Sequence, residues 1–79
     1  MYYTYILRGE KNYTYVGSSS NLKSRLEQHN KGQVNSTCKH TPLKLIWYAG
    51  FQTRNLAESF EKYLKSSSGH AFRNKRLIG

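Results

Sequence analysis

The stretch YYTYILRGEKNYTYVGSSSNLKSR, residues 2–25, decides the fold. Its opening alternates, with Tyr3, Tyr5 and Leu7 on one side and Tyr2, Thr4 and Ile6 on the other, the two-residue period of a strand built from β-forming residues. Arg8 to Asn12 gathers a glycine, an asparagine and charges, the composition of a hairpin turn. Tyr13 to Gly17 is then the return strand, with Tyr13, Tyr15 and Gly17 sharing one face, so Tyr5 and Tyr15 are expected on the same side of an antiparallel ribbon. Ser18 to Asn21 are all N-capping residues, and Leu22, Leu26 and His29 follow at i, i+4 and i+7, which predicts a helix ending near Gly32. Arg25 lies four residues before His29 and neighbours it at the edge of that apolar stripe. Phenolic hydroxyls, a helix N-terminus and a guanidinium therefore converge, a set of groups suited to a phosphodiester.

Outward from this stretch, Gln33 to Pro42 is polar and predicts a loop with Lys31, Lys39 and His40 facing solvent or phosphates. Leu43 to Ala49 alternates again, with Leu43, Leu45, Trp47 and Ala49 opposed to Lys44, Ile46 and Tyr48, a third strand. Thr53 is a good N-cap for a second helix whose stripe is Leu56, Ala57, Phe60 and Leu64 and which runs to about Ser66. A break at Ser66 to Gly69 precedes a last helical turn or two over 71–77, docked by Phe72. The order predicts an α+β fold, a small three-stranded antiparallel sheet flanked by helices, in one domain over residues 1–79.

Composition bounds the partner. Thirteen Lys and Arg stand against four acids, for a net charge of +9, and a field of that sign favours polyanions, nucleic acid first. A membrane surface is the rival, but the chain carries no long apolar span, signal pattern or lipidation motif, so a soluble, cytoplasmic protein is expected. Cys38 is the single cysteine, which excludes an internal disulfide, and His29, His40 and His70 supply no zinc spacing around it. There is no aspartate, and the glutamates are Glu10, Glu27, Glu58 and Glu61. Of these, Glu61 lies at the margin of an apolar stripe and is the one best held in place. A single rigid carboxylate suits one magnesium ion completed by water and phosphate oxygens, and is too few for a two-metal clamp.

These residues resemble the GIY-YIG nuclease superfamily, in particular its small stand-alone bacterial members. Tyr3-Thr4-Tyr5 departs from Gly-Ile-Tyr at two positions but keeps the third, Tyr15-Val16-Gly17 is a near-complete second half, and ten residues separate Tyr5 from Tyr15. Arg25 and His29 follow as the family's arginine and its histidine or tyrosine, and Ala57, Glu61 and Lys65 match its alanine, glutamate, lysine steps of four. The resemblance spans nearly the whole chain. It implies one-step, divalent-metal-dependent endonucleolytic hydrolysis with low sequence specificity, with DNA the expected nucleic acid. Tyr5 would take the proton from the attacking water, Tyr15 would orient water or phosphate, Arg25 would stabilise the pentacovalent phosphorus and Glu61 would hold one Mg2+ or Mn2+. His29 is the alternative base, because a tyrosine with an ordinary pKa near 10 needs the metal and arginine to favour phenolate, whereas a histidine does not. Gly17, by close backbone approach, with Lys23, Lys31, Lys39, Lys65 and a family-type C-terminal asparagine, Asn74, are the expected nucleic-acid contacts.

Each residue also has a plain structural reading: Tyr5 and Tyr15 a cross-strand aromatic pair, Arg25 a solvated helix face, His29 a helix-end histidine, Glu61 an i,i+4 partner of Lys65. A second function stays open, a non-catalytic nucleic-acid-binding module on the same scaffold, with tyrosines, Trp47, Phe51 and Phe72 as stacking platforms. In either case no targeting domain is recognised, so modest affinity, strong salt dependence and little sequence preference are expected. Oligomeric state is left open.

Overall fold

In a computed structural model that describes residues 1–77, the chain forms β1 (Tyr2–Arg8), β2 (Thr14–Ser19), α1 (Leu22–Asn30), β3 (Lys44–Phe51), α2 (Arg54–Lys65) and α3 (Ser67–Phe72), closed by a π-helical turn at Arg73–Leu77. Both strand pairs are antiparallel and the order is β2-β1-β3, the α+β sheet predicted from the alternation. β1 is central, and Thr4, Tyr5, Ile6 and Leu7 are all buried because helices cover both sheet faces. On one face Tyr5, Leu7 and Leu43 pack with Leu22 and Leu26 of α1, and on the other Ile6 and Val16 pack with Leu64 and Phe60 of α2. Thr4, polar and fully buried, is satisfied by donating from Oγ1 to the Ala57 carbonyl at 2.7 Å, which ties β1 to α2.

Local chemistry sets the helix ends. Asn21 caps α1 by accepting from the Ser24 N–H at 3.0 Å, and Thr53 caps α2 by accepting from Leu56 N–H at 3.2 Å. At the far end of α1, Asn30 donates to the Leu43 carbonyl (3.2 Å) and accepts from the Leu43 N–H (2.8 Å), fixing the entrance of β3 against the helix.

Four expectations need correction. Strict alternation in β3 fails, because Ile6 pairs with Trp47 while Leu7 pairs with Leu45, a β-bulge that absorbs Ile46. Leu45 and Tyr48 consequently share the Tyr5 face, while Ile46 and Trp47 pack on the Ile6 face. Leu56 is outside the core at 55% exposure, since in the first turn of α2 it sits off the Ala57–Phe60–Leu64 stripe. Within the 33–42 loop Val34 and Thr37 are buried, and His40 is half-buried, stacked flat on Tyr13 at 3.6 Å. The C-terminal turns are docked by Arg73 and Leu77, not by Phe72, which stays exposed beside Tyr63.

The predicted break after α2 is only one residue wide. Ser66 ends α2 and also caps α3, accepting from the Gly69 N–H at 3.1 Å. Buried Gly69 lies directly against the Tyr63 carbonyl, where any Cβ would overlap backbone. Gly69→Ala is therefore expected to destabilise the fold by at least about 2 kcal/mol, read as a lowered urea midpoint, because backbone on both sides must shift.

Candidate active site

The site forms where β1, β2, α1 and α2 meet. Tyr5 stands directly opposite Gly17, and Leu7 opposite Tyr15, so both tyrosines project from the same face two register steps apart. Their rings lie 6.4 Å apart, and His29 of α1 packs edge-on to each, 5.8 Å from Tyr5 and 5.1 Å from Tyr15. A Cβ on residue 17 would lie 2.6 Å from the Tyr5 hydroxyl and 2.9 Å from the Tyr15 ring. Glycine is needed there to leave room for the phenol. It is itself buried beneath the two tyrosines, so the expected approach of nucleic acid to Gly17 is replaced by an internal role. Gly17→Ala is expected to cost about 1–3 kcal/mol of stability and to displace the Tyr5 hydroxyl, which a urea melt combined with a cleavage assay would register together.

Behind the tyrosines runs a buried hydrogen-bonded chain. Tyr5 Oη is 2.9 Å from His29 Nε2, and His29 Nδ1 is 2.7 Å from Thr37 Oγ1. Thr37 directs its own hydroxyl toward the Val34 carbonyl at 3.5 Å, so it accepts from histidine. This pattern assigns the proton to Nδ1 and the lone pair to Nε2, which then accepts from the Tyr5 O–H. Tyr5 and Thr37 are as buried as His29, at 1% exposure or less.

Burial shapes the proton affinities. It pushes the Tyr5 phenol up to about 12, outweighing the Arg25 guanidinium, which pulls it down; the nearby Tyr15 and Glu61 charges push the same way as burial. The phenolate expected from sequence relies on a metal together with Arg25, and desolvation outweighs the arginine's share of that. The same burial, with Arg25 adding to it, holds His29 below its ordinary value and keeps the imidazole neutral at neutral pH.

Arg25, half-buried, is positioned by donating from Nη1 to Gln28 Oε1 at 3.0 Å. Glu61 reaches the cluster from the opposite sheet face, accepting from Ser18 Oγ at 2.7 Å and from Lys65 Nζ at 2.8 Å. Lys65 Nζ also lies 5.7 Å from the Tyr15 ring centroid, so it belongs to the cluster and is not a free phosphate contact. The five expected residues Tyr5, Tyr15, Arg25, His29 and Glu61 are accordingly gathered in one place. Lys23, Lys31, Lys39 and Asn74 are exposed and make no side-chain hydrogen bond to the five among the described residues. Ser18, Gln28 and Thr37 are additions that the sequence did not single out; only Ser18, next to Gly17, had any signal.

Among the described residues no three His, Cys, Asp or Glu side chains gather to hold a metal. Among the described residues Glu61 is the cluster's one carboxylate for a divalent ion: its side chain is 21% exposed, and an ion there would displace Lys65 Nζ, 2.8 Å from its Oε2. One carboxylate completed by water and phosphate oxygens is an ordinary magnesium donor set.

This sheet with its helices, carrying two tyrosines, an arginine and a glutamate in one cluster, defines a nuclease-type domain, and residues 1–76 match the GIY-YIG catalytic domain. The chain belongs to that family. It is similar to a UPF0213 protein of Clostridium perfringens, 33% identical over 98% of this chain and 80% of that one. A UPF0213 protein of Pediococcus pentosaceus is 38% identical over 81% of this chain and 68% of its own length, and one of Haloquadratum walsbyi 32% identical over 82% and 74%. No solved structure matches. Family membership implies a nucleic-acid substrate, and no helix of the described residues is long and apolar enough to cross a membrane.

Proposed function

We propose that the protein is a divalent-metal-dependent endonuclease that hydrolyses nucleic-acid phosphodiesters, DNA foremost, with little sequence preference, and that it acts in the cytoplasm. The observation that carries this reading is the Tyr5–His29–Thr37 chain ending beside Arg25 and Glu61. As the attacking water gives its proton to Tyr5 Oη, the phenol passes its own proton to His29 Nε2, and Thr37 holds the ring in the accepting tautomer. No free phenolate is needed, so the raised proton affinity of Tyr5 is compatible with the step. Tyr15 orients the water or phosphate from the rim, and Arg25 offsets charge that builds on the phosphoryl oxygens. Glu61 would hold one Mg2+ or Mn2+, which when bound supplies Lewis-acid stabilisation of the leaving oxygen. Phosphate contacts by Lys23, Lys31, Lys39 and Asn74 would add sequence-independent, salt-sensitive binding.

One observation favours the second reading, a non-catalytic nucleic-acid-binding module: Glu61 is already paired with Lys65 and needs no metal for charge balance. The two separate on incubation of the protein with plasmid, branched, single-stranded and RNA substrates, with Mg2+ or Mn2+ and with EDTA. The nuclease reading requires cleavage that EDTA abolishes; binding without cleavage of any substrate leaves the module.

A further inference from the structure

The Tyr5 face of the sheet holds a second concavity, on the other side of α1 from the catalytic cluster. Between Leu22 and Leu26 of α1 and Leu45 and Tyr48 of β3 lies an open groove of about 530 Å³, with Tyr3 at its floor and Lys23 at its rim. The bulge at Ile46 creates it by bringing Leu45 and Tyr48 onto one face. Tyr48 is 56% exposed and Tyr3 meets it edge-on at 6.1 Å, so a wide phenol face is left for a flat ligand. Of the charged side chains only Lys23 lines the groove and no acid does, on a chain of net charge +9.

The groove also has a fixed relation to the catalytic cluster. Tyr48 is directly opposite Tyr5 in the β1–β3 register. Helical residues turn by about 100°, so Arg25 and Lys23 project from opposite margins of the Leu22–Leu26–His29 stripe. A strand whose phosphate rests at Arg25 can therefore cross the start of α1 and lay a neighbouring base against Tyr48.

We propose that this groove stacks an unpaired nucleobase beside the phosphate held at Arg25, so that single-stranded nucleic acid or a single-stranded junction is the favoured substrate. This rests on the nucleic-acid substrate of the function proposed above. Of the aromatics expected from sequence as platforms, the tyrosines with Trp47, Phe51 and Phe72, Trp47 and Phe51 pack on Phe60, Phe72 and Tyr63 pack on each other, and Tyr48 with Tyr3 lines the groove. Stacking reads the π-face that every base has, and a duplex cannot offer it without unstacking.

The test is fluorescence anisotropy in EDTA with a labelled single-stranded oligonucleotide and a duplex of the same sequence. Wild type is expected to bind the single strand more tightly. Tyr48→Ala should weaken that binding about 10- to 100-fold while leaving duplex binding and the urea midpoint unchanged, and Tyr48→Trp should restore it. Equal losses for single strand and duplex, or no loss, overturn the proposal. So does a wild-type dimer in sedimentation that Tyr48→Ala dissociates, which would make a second copy the occupant. Because no metal is present, binding without later cleavage would sink the nuclease reading and leave this one standing, whereas a wild type that binds no nucleic acid sinks both.

Discussion

Replacing Glu61 by glutamine is expected to lower the cleavage rate at least about 10³-fold while changing folding stability by no more than about 0.5 kcal/mol. Glutamine keeps the shape and an oxygen for Ser18 Oγ, but removes the carboxylate charge, and among the described residues no other acid contributes to the proton affinity of Tyr5. Loss of a group asked to hold the metal should cost several kcal/mol of transition-state stabilisation, and each 1.4 kcal/mol or so is tenfold in rate. On the stability side only an i,i+4 pair with Lys65 is lost, half-exposed and worth a few tenths of a kcal/mol. A cleavage assay with a urea melt on the same preparation reads both quantities. A variant that unfolds as it loses activity would mean that Glu61 is structural.

Tyr5→Phe should slow cleavage by about 10²- to 10⁴-fold, the range for a positioned proton-transfer group. It should also cost about 1–3 kcal/mol of stability, because His29 Nε2 would remain buried without its donor. The pH dependence separates the proposed relay from a free phenolate. With neutral His29 as final acceptor, the rate should rise with pH through a step below 6.5, the ordinary value from which burial and Arg25 lower it, and stay flat through the neutral range. A phenolate base would instead make the rate climb steadily on the alkaline side toward about 12. Stability follows the same groups. His29 takes up protons more readily when unfolded, so its contribution is complete above 6.5 and is lost as pH falls through the lowered folded value. Tyr5 holds its proton more tightly when folded, so its contribution is complete below 10.0 and is lost as pH rises toward about 12.

The elements that sequence predicts well are those with an uninterrupted period. β1, β2 and the capped starts of α1 and α2 follow from alternation, from the polar run before Leu22 and from Thr53. The five candidate side chains were legible because motif spacing carried them, while their environment was not. Nothing in a two-residue period announces a bulge, so the face of Tyr48, and the groove with it, could not be read. Thr37 lies in a loop without periodicity, and only the three-dimensional path of 33–42 brings it under His29. The sign of the Tyr5 shift was equally hidden: sequence shows that an arginine is near but not that desolvation outweighs it. For Gly17 the missing Cβ was noticed and its use mistaken, since the space goes to a phenol and not to a phosphate.

That Tyr5 and Glu61 act in one site is tested most directly by single-turnover cleavage of a labelled oligonucleotide in Mg2+ by wild type, Tyr5→Phe, Glu61→Gln and the double variant. Residues acting as a unit give strongly non-additive losses. The predicted result is metal-dependent cleavage by wild type, a loss of at least about 10²-fold in each single variant, and a double variant no more than about tenfold below the worse single. Cleavage unchanged in either single variant, or losses that multiply in the double, would contradict a shared site.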